Sequence, residues 1–526
     1  MVVDGNFVAA NSHFRGQICI VGGGVAGIVL ANELQDAYED IIIVESGDEH
    51  YVPEAQELYQ AEKYPDQLPD PMYSRMRFLG GSSNHWQNNT SPLSPSDFEK
   101  RDWVPNSGWP ISFSDINPYY KKAQYYCGVG EDGYNTKQWS SVLNKKDEVE
   151  ESALLITAIA KASSPPVRFY QAYGERLKSA SNITILTNSN MVDIVYDSSD
   201  KRVRQIDIVS NRGGNITVSA DKFVFAMGGI ENARMLLVFN QKYSDQLGNQ
   251  GGNVGCYFME HPTPRAAQLF ADDVERLEFY KSVQFKDRTV VGFLSLSEQV
   301  LHDHQTTNLR MPLIPKDEYT LSDGISSSHI LAESFARHSL PDNFSDHLYN
   351  IVGDMDMVIE AVARKTFGIK LFEHANKITG FQIPMMMEQT PDKNNRIYLG
   401  RAKDRLGIPK VSIDYFVSGF DKACVWRSLM VVAQEVGALS LGRLKVLEER
   451  AERLWSNQLG FSDHHMGTTR MSSTPEYGVV DENLKVFGVK NLYIAGSSVF
   501  STGGHVPPTL TIAAMSIRLA EYLKNV

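Results

Sequence analysis

The chain has 526 residues, with 51 basic and 63 acidic side chains and a formal charge of −12. Hydrophobic residues make up 42% and charged residues 22%, the balance of a globular protein, which excludes disordered and fibrous classes. Phosphate backbones are bound by clustered Lys and Arg, so the acidic balance argues against a nucleic-acid partner. The length allows about two to four domains of roughly 150 residues each.

The sequence carries no pattern typical of export or of a membrane span. No apolar stretch approaches the roughly 18–20 residues that cross a bilayer, and the first residues lack a basic segment followed by an apolar one. The cysteines lie far apart without a CxxC pair, which argues against a zinc cluster or a disulfide framework and suits a reducing compartment. They are Cys19, Cys127, Cys256 and Cys424. We therefore expect a cytoplasmic enzyme with no membrane partner.

The first strong pattern begins at residue 17. Residues 17–21 form a short apolar run of buried-strand type, and a helical pattern continues through Leu34. Between them stands a GxGxxG sequence formed by Gly22, Gly24 and Gly27, and a second apolar run, 41–44, ends in Glu45. This order of strand, glycines, helix, strand and acid is the dinucleotide-binding fingerprint.

Each residue of the fingerprint has a physical role. Gly22 permits the tight turn, and Gly24 lets the backbone approach a pyrophosphate. Gly27 lets the helix pack against the strand, so that the helix N-terminus faces the phosphates. Glu45 can accept hydrogen bonds from ribose hydroxyls.

The rest of the chain mixes strands and helices. Residues 50–170 are rich in Pro, Tyr, Asn and Trp and predict extended loops around short elements. Further along, apolar runs predict strands and longer periodic patterns predict helices. The predicted strands are 183–186, 191–196, 203–209, 216–218, 223–225, 289–294 and 492–495, and the predicted helices include 422–436 and 509–523.

Seven further motifs stand in one order along the chain: residues 77–86, 107–112, 117–120, 226–234, 258–262, 464–471 and 508–511. With the fingerprint, they resemble the glucose–methanol–choline (GMC) flavoprotein oxidoreductases over most of the chain. The resemblance implies FAD as cofactor and removal of a hydride from a carbinol carbon. Residues 77–86 and 107–120 are most similar to the branch that holds pyranose 2-oxidase, glycoside 3-oxidases and fructose dehydrogenase, which acts on sugar hydroxyls.

The resemblance also implies the architecture. We expect an α/β protein, with a Rossmann-like FAD-binding domain built on a parallel sheet and an inserted α+β substrate domain with an antiparallel sheet. The discontinuous FAD-binding domain would comprise residues 13–115, 170–262 and 462–526. Residues 116–169 and 263–461 would form the substrate-binding domain and its loops.

Further cofactor-binding residues follow from the resemblance. The helix that starts near Pro508 and Thr509 would direct its positive N-terminus at the flavin edge that becomes negative on reduction. The backbone at Val192 would contact adenine. The full set beyond the fingerprint is Arg77, Gly81, Ser82, His85, Trp86, Val192, Ala226, Gly496, Pro508 and Thr509.

His85 has two alternative roles. In some members of the family, the histidine of a Thr-His-Trp sequence is bonded covalently to the flavin, and here Asn84-His85-Trp86 stands in that place. In other members the His-Trp pair occurs without such a bond, and His85 would then pack over the rim of the isoalloxazine. The Asn in place of Thr favours the second alternative.

His464 matches the catalytic histidine of the family, because it stands three residues before Gly467. Its ordinary pKa near 6.5 suits a general base at neutral pH. The family usually carries Asn or His at position 507, where this chain has Pro507. If the segment is extended, His505 points to the same side and could assist as a second catalytic residue; alternatively, His505 serves the fold or the flavin.

Substrate contacts are predicted for Glu388, Gln389 and His465. The histidines between 302 and 347 fit no compact ligand spacing, so we expect no metal. The partners would be a sugar or glycoside alcohol, oxidised to a ketone, and oxygen or another electron acceptor. The alternatives are a non-sugar alcohol in natural-product tailoring, or a flavin-binding protein whose oxidase chemistry is altered or lost through Pro507. The oligomeric state stays open.

Overall fold

A computed structural model gives the structure of the chain and describes residues 1–317, 321–336, 340–341, 344–369, 371, 378–447, 455 and 459–526. The strands are β1 Val2–Asp4, β2 Ser12–Val21, β3 Ile41–Val44, β4 Leu155–Ser163, β5 Ile183–Thr187, β6 Ser189–Asp197, β7 Arg202–Ser210, β8 Asn215–Phe225, β9 Ala267–Ala271, β10 Val283–Phe285, β11 Arg288–Leu296, β12 Leu309–Arg310, β13 Ile314–Asp317, β14 Ile378–Ile383, β15 Met386–Met387, β16 Arg396–Lys403, β17 Pro409–Asp414, β18 Gly442–Val446 and β19 Leu492–Ile494.

The α-helices are Val25–Leu34, Pro53–Gln56, Pro95–Phe98, Phe113–Tyr126, Thr136–Leu143, Phe169–Ser179, Gly228–Tyr243, Glu298–Asp303, Asp323–Ala336, Phe344–Gly353, Met355–Phe367, Gly419–Ala438 and Thr509–Lys524.

The largest sheet carries the dinucleotide-binding fingerprint. Its strand order is β1-β5-β3-β2-β8-β7-β6, and β19 also pairs with β8. The strands from β1 to β8 along this path, and β19, pair in parallel, whereas β8, β7 and β6 form an antiparallel meander. Every residue of β3 is buried, as expected for the continuous apolar run of an inner parallel strand.

The middle of the chain forms antiparallel sheets. One has the order β10-β11-β4, another the order β13-β14-β9-β18, and β12 pairs with β15 beside them. A separate group of buried apolar side chains packs around these strands, apart from the group around the parallel sheet. The predicted fold class, a Rossmann-like parallel sheet with a second antiparallel part, is confirmed.

Two local predictions differ from the structure. The predicted strands 216–218 and 223–225 are one strand, β8, because the polar residues between them still pair with β2 and β7. Residues 50–170 hold a 14-residue helix, Phe113–Tyr126, despite Pro118 in its interior. The capping box of Ser112 and Asp115 at its start was the available signal.

The domain limits stay a proposal. β1 lies before residue 13 and yet joins the parallel sheet. Among the described helices, none has the length and apolar character that a bilayer crossing requires.

A buried ion pair joins sequence-distant parts of the chain. Arg101 Nη1 donates to Glu388 Oε2 at 2.9 Å and Nη2 donates to Oε1, and Glu388 is fully buried. Glu388 Oε2 also accepts the backbone N–H of Asn308 at 3.1 Å. Because both charges are out of water, removing one leaves the other uncompensated.

Glu388→Gln should therefore lower the free energy of unfolding by about 3–5 kcal/mol, measured by denaturant titration of the holoprotein. Glu150→Gln is the matched control, since Glu150 forms an exposed pair with Lys137 at 3.2 Å and should cost less than about 1 kcal/mol. Equal losses in the two variants would contradict a structural role for the buried pair.

Candidate functional site

A cavity of about 1050 Å³ opens beside the carboxyl ends of β2, β3 and β8. Most of the predicted site residues line it, although they come from distant parts of the chain. Those that do are Gly22, Gly24, Glu45, Arg77, Gly81, Ser82, His85, Trp86, Ala226, His464, His465, Gly496, Pro508 and Thr509. Those not among the lining residues are Gly27, Val192, Glu388, Gln389 and His505.

Glu45 holds the first glycine loop in place. Its Oε2 accepts the N–H of Gly23 and its Oε1 accepts the N–H of Gly47, both at 2.8 Å. An ionised carboxylate has about four acceptor positions, so Glu45 can still accept a hydroxyl from the cavity. Gly27 acts through packing instead, because a Cβ there would lie 2.0 Å from the carbonyl oxygen of Gly22.

The cavity fits FAD at three helix N-termini. The helices Val25–Leu34, Gly228–Tyr243 and Thr509–Lys524 all begin at its wall, where their unpaired N–H groups and partial positive charge favour phosphates and an anionic ring edge. A Cβ built on Gly24, Gly228 or Gly496 would meet no atom closer than 3.9 Å. These glycines therefore leave the room that a closely bound cofactor needs.

The loop that carries His85 is fixed by its own hydrogen bonds. Asn84 donates its side-chain amide to the carbonyls of Leu79 and Gly81, both at 3.0 Å. Trp86 Nε1 donates to the carbonyl of Val167 at 2.7 Å. Burial, with a smaller effect of the nearby Arg168, lowers the pKa of His85, so its imidazole is neutral at pH 7.

On β6, the residue that lines the cavity is the neighbour of the predicted Val192. The register of β6 shifts between Met191 and Asp193, and Met191 lines the cavity in place of Val192. Arg77 also lines the cavity, and its Nη1 lies 3.5 Å from Oε2 of Glu231.

His464 meets a histidine that the sequence analysis did not single out. The Nδ1 atoms of His464 and His261 are 2.8 Å apart, and His261 Nε2 lies 3.0 Å from the carbonyl oxygen of Gly504. A carbonyl only accepts, so Nε2 of His261 carries the proton. Burial lowers the pKa of His261 to about 4, which leaves its Nδ1 as an acceptor.

The hydrogen-bond order fixes the tautomer of His464. Because Nδ1 of His261 accepts, Nδ1 of His464 must donate, and Nε2 of His464 is the unprotonated nitrogen. Burial is the main cause that holds the pKa of His464 well below its ordinary value, with smaller contributions from His261, His465 and Arg310. His464 lines the cavity, so the arrangement presents a neutral imidazole with a free lone pair.

His505 does not share this space. The chain bends at His505 and Val506 instead of continuing as an extended segment, so Pro507 lines the cavity and His505 does not. The His505 ring packs edge-on against Phe293 with centroids 6.3 Å apart. Burial lowers its pKa to about 3. The predicted catalytic role of His505 required an extended segment, and the segment is bent.

Of the three predicted substrate contacts, one lines the cavity and two do not. Glu388 binds Arg101 and is fully buried, and Gln389 accepts the N–H of Glu260 at 2.9 Å and donates to the carbonyl of Phe416. The structure does not bring either side chain to the cavity. His465 does line it, stacked on Phe258 with centroids 5.8 Å apart.

The cavity wall also holds Arg310, Pro312, Pro384, Met386 and Phe461. The sequence gave no motif for these positions. Among the described residues, no group of three or more His, Cys, Asp or Glu side chains could hold a metal ion. His338, one of the histidines considered for a metal, lies outside the described residues.

Comparisons with known proteins point to one family. A family model described as GMC oxidoreductase matches residues 391–516. The chain is 21% identical to the fructose dehydrogenase large subunit of Gluconobacter japonicus, over 98% of this chain and 99% of that protein. It is 22% identical to 2-methyl-1,2-propanediol dehydrogenase of Mycolicibacterium austroafricanum, over 86% and 81% of the two chains.

The fold agrees with this assignment. The solved structure of pyridoxine 4-oxidase from Mesorbium loti is similar with a TM-score of 0.60 at 16% identity, over 97% of this chain and 99% of that one. The family match, the full-length relatives and the cavity at the glycine fingerprint agree. Residues 391–516 match the GMC oxidoreductase family, and the full-length chain is similar in sequence and fold to oxidoreductases of this kind, which bind FAD and act on CH–OH groups.

Proposed function

We propose that the protein oxidises a secondary hydroxyl of a sugar or glycoside to a ketone, with Nε2 of His464 as the base. The observation that carries the proposal is the hydrogen-bond order from the Gly504 carbonyl through His261 to His464. It leaves a basic nitrogen on a residue that lines the cofactor cavity. The sugar class is supported by the resemblance of residues 77–86 and 107–120 and by the similarity to fructose dehydrogenase.

FAD, when bound, supplies the acceptor for the hydride. His464 takes the hydroxyl proton on Nε2, so the carbinol loses one proton and one hydride and becomes a carbonyl. The imidazolium that forms keeps its Nδ1–H bonded to the Nδ1 lone pair of His261, which holds the ring in one orientation. Because the pKa of His464 is lowered, the imidazole is neutral at pH 7 and its Nε2 carries no proton.

Pro507 stands where the family usually has Asn or His, so the cavity lacks a second polar side chain at this position. Proline has neither a side-chain hydrogen-bonding group nor a backbone N–H, so His464 would orient the hydroxyl with no partner from that position. This favours the alternative substrate, a non-sugar alcohol, and the similarity to 2-methyl-1,2-propanediol dehydrogenase supports the same alternative. The unprotonated nitrogen of His464 argues against lost chemistry.

His464→Ala should lower the rate of flavin reduction about 10²- to 10⁴-fold, because it removes the general base. The measurement is anaerobic stopped-flow bleaching of the flavin with monosaccharides, glycosides and simple alcohols. His302→Ala, an exposed histidine away from the cavity, should reduce at the wild-type rate.

Retained flavin with wild-type bleaching in His464→Ala would refute the assignment of the base. Bleaching by simple alcohols alone, and by no sugar or glycoside, would move the function to the non-sugar alternative.

We further propose that FAD is bound without a covalent bond and that His85 packs against the ring. Trichloroacetic acid should then release the flavin into the supernatant, with the pellet colourless, because only a covalent bond survives unfolding. Flavin retained in the pellet of the wild type but not of His85→Ala would instead establish a bond at His85.

A further inference from the structure

Arg310 is a buried guanidinium in the cavity wall with most of its N–H groups unused. It ends β12 opposite Met386 of β15, lines the cavity and is 4% exposed. Its Nη2 donates to Asn89 Oδ1 at 3.3 Å. Its Nε and Nη1, which carry three of the five N–H groups of an arginine, have no acceptor in the part of the chain that the structure describes.

The other arginines of the cavity wall differ from Arg310 in having carboxylate partners. Arg75 lies 3.1 Å from Glu231, and Arg234 lies 2.6 Å from Asp404. No described carboxylate lies within 4 Å of Arg310. Burial lowers the pKa of Arg310 to about 10, so the side chain still carries its charge at pH 7.

A buried charge without a partner is costly, and proteins keep one where a ligand completes it. The ring of Phe293 covers one face of the guanidinium, with 4.3 Å from Cζ to the ring centroid. Nε and Nη1 are shielded from water, whereas Nη2 makes one hydrogen bond and has a second N–H, from which an oxyanion in the cavity can accept a charge-assisted hydrogen bond.

The position of Arg310 joins this anion site to the proposed base. Both Arg310 and His464 line one cavity, and the charge of Arg310 contributes to the lowered pKa of His464. A molecule whose anionic group binds Arg310 therefore lies in the same cavity as His464.

We infer that the alcohol substrate carries a carboxylate, as in a uronic acid or a hydroxy acid, and that Arg310 binds it. The inference deepens the proposed function, because the bound molecule is the alcohol that His464 deprotonates. Binding of the carboxylate can nevertheless be measured without turnover, which separates the two claims.

The probe is tetrahydropyran-2-carboxylate, a sugar-sized ring with no hydroxyl, compared with its neutral amide, tetrahydropyran-2-carboxamide. Each is titrated into the holoenzyme, and binding is followed by the flavin difference spectrum. The wild type should bind the carboxylate about tenfold to a hundredfold more tightly than the amide, as expected for charge-assisted hydrogen bonds.

Arg310→Met should abolish that preference, and Arg310→Lys should keep part of it, since lysine retains the positive charge without the planar guanidinium. Arg443→Met is the matched control, because Arg443 is exposed on β18, away from the cavity; its preference should equal that of the wild type. The FAD content of each variant reports correct folding.

Equal binding of the two probes by the wild type, or a preference that survives Arg310→Met, would overturn the inference. If the preference is intact and the visible spectrum of ligand-free Arg310→Met is changed, Arg310 lies against the flavin ring, and the inference is again overturned. In a turnover arm, glucuronate is compared with glucose and lactate with 2-propanol. A carboxylate preference without flavin reduction by any alcohol would refute the proposed function and leave the anion site standing.

Discussion

The tautomer of His464 depends on one hydrogen bond, between Nδ1 of His261 and Nδ1 of His464. Its direction is set by the carbonyl of Gly504, which leaves His261 only its Nδ1 as an acceptor. That carbonyl is itself held by close packing: Gly504 has φ +58°, and a Cβ there would lie 2.4 Å from Leu93 Cδ2 and 3.0 Å from Asp97 Oδ2. A glycine in a tight loop thus determines which nitrogen of a distant histidine is basic.

The fold brings His464 and the glycine fingerprint to one cavity. Three helices begin at one cavity wall, so that their N-termini favour the anionic parts of FAD. The antiparallel strands β12 and β15 add Arg310, a buried guanidinium, and Met386 to the cavity wall. The buried pair of Arg101 and Glu388 joins distant parts of the chain and does not line the cavity. The cavity wall thus contains a neutral imidazole and a guanidinium without a described carboxylate partner, on a chain with a net charge of −12.

What the sequence predicted was local. The fingerprint, Glu45 and the final helix were found because each depends on neighbouring residues whose spacing has a direct structural meaning. The contacts that it missed join distant residues: His261 and His464 are 203 positions apart, and Arg101 and Glu388 are 287 apart. His505 was placed at the site on the condition of an extended segment, and the bend at His505 and Val506 is a tertiary feature. Arg310 belongs to no motif, and only its burial without acceptors distinguishes it.

The tautomer of His464 can be measured by ¹⁵N NMR of histidine-labelled holoenzyme. The protein has 13 histidines, so the His464 signals are identified by their loss in His464→Gln. We expect a protonated Nδ1 and an unprotonated Nε2 at pH 7, with the preference for this tautomer lost in His261→Leu. A His464 protonated on Nε2 in the wild type would contradict the account, because the nitrogen assigned as the base would then have no free lone pair.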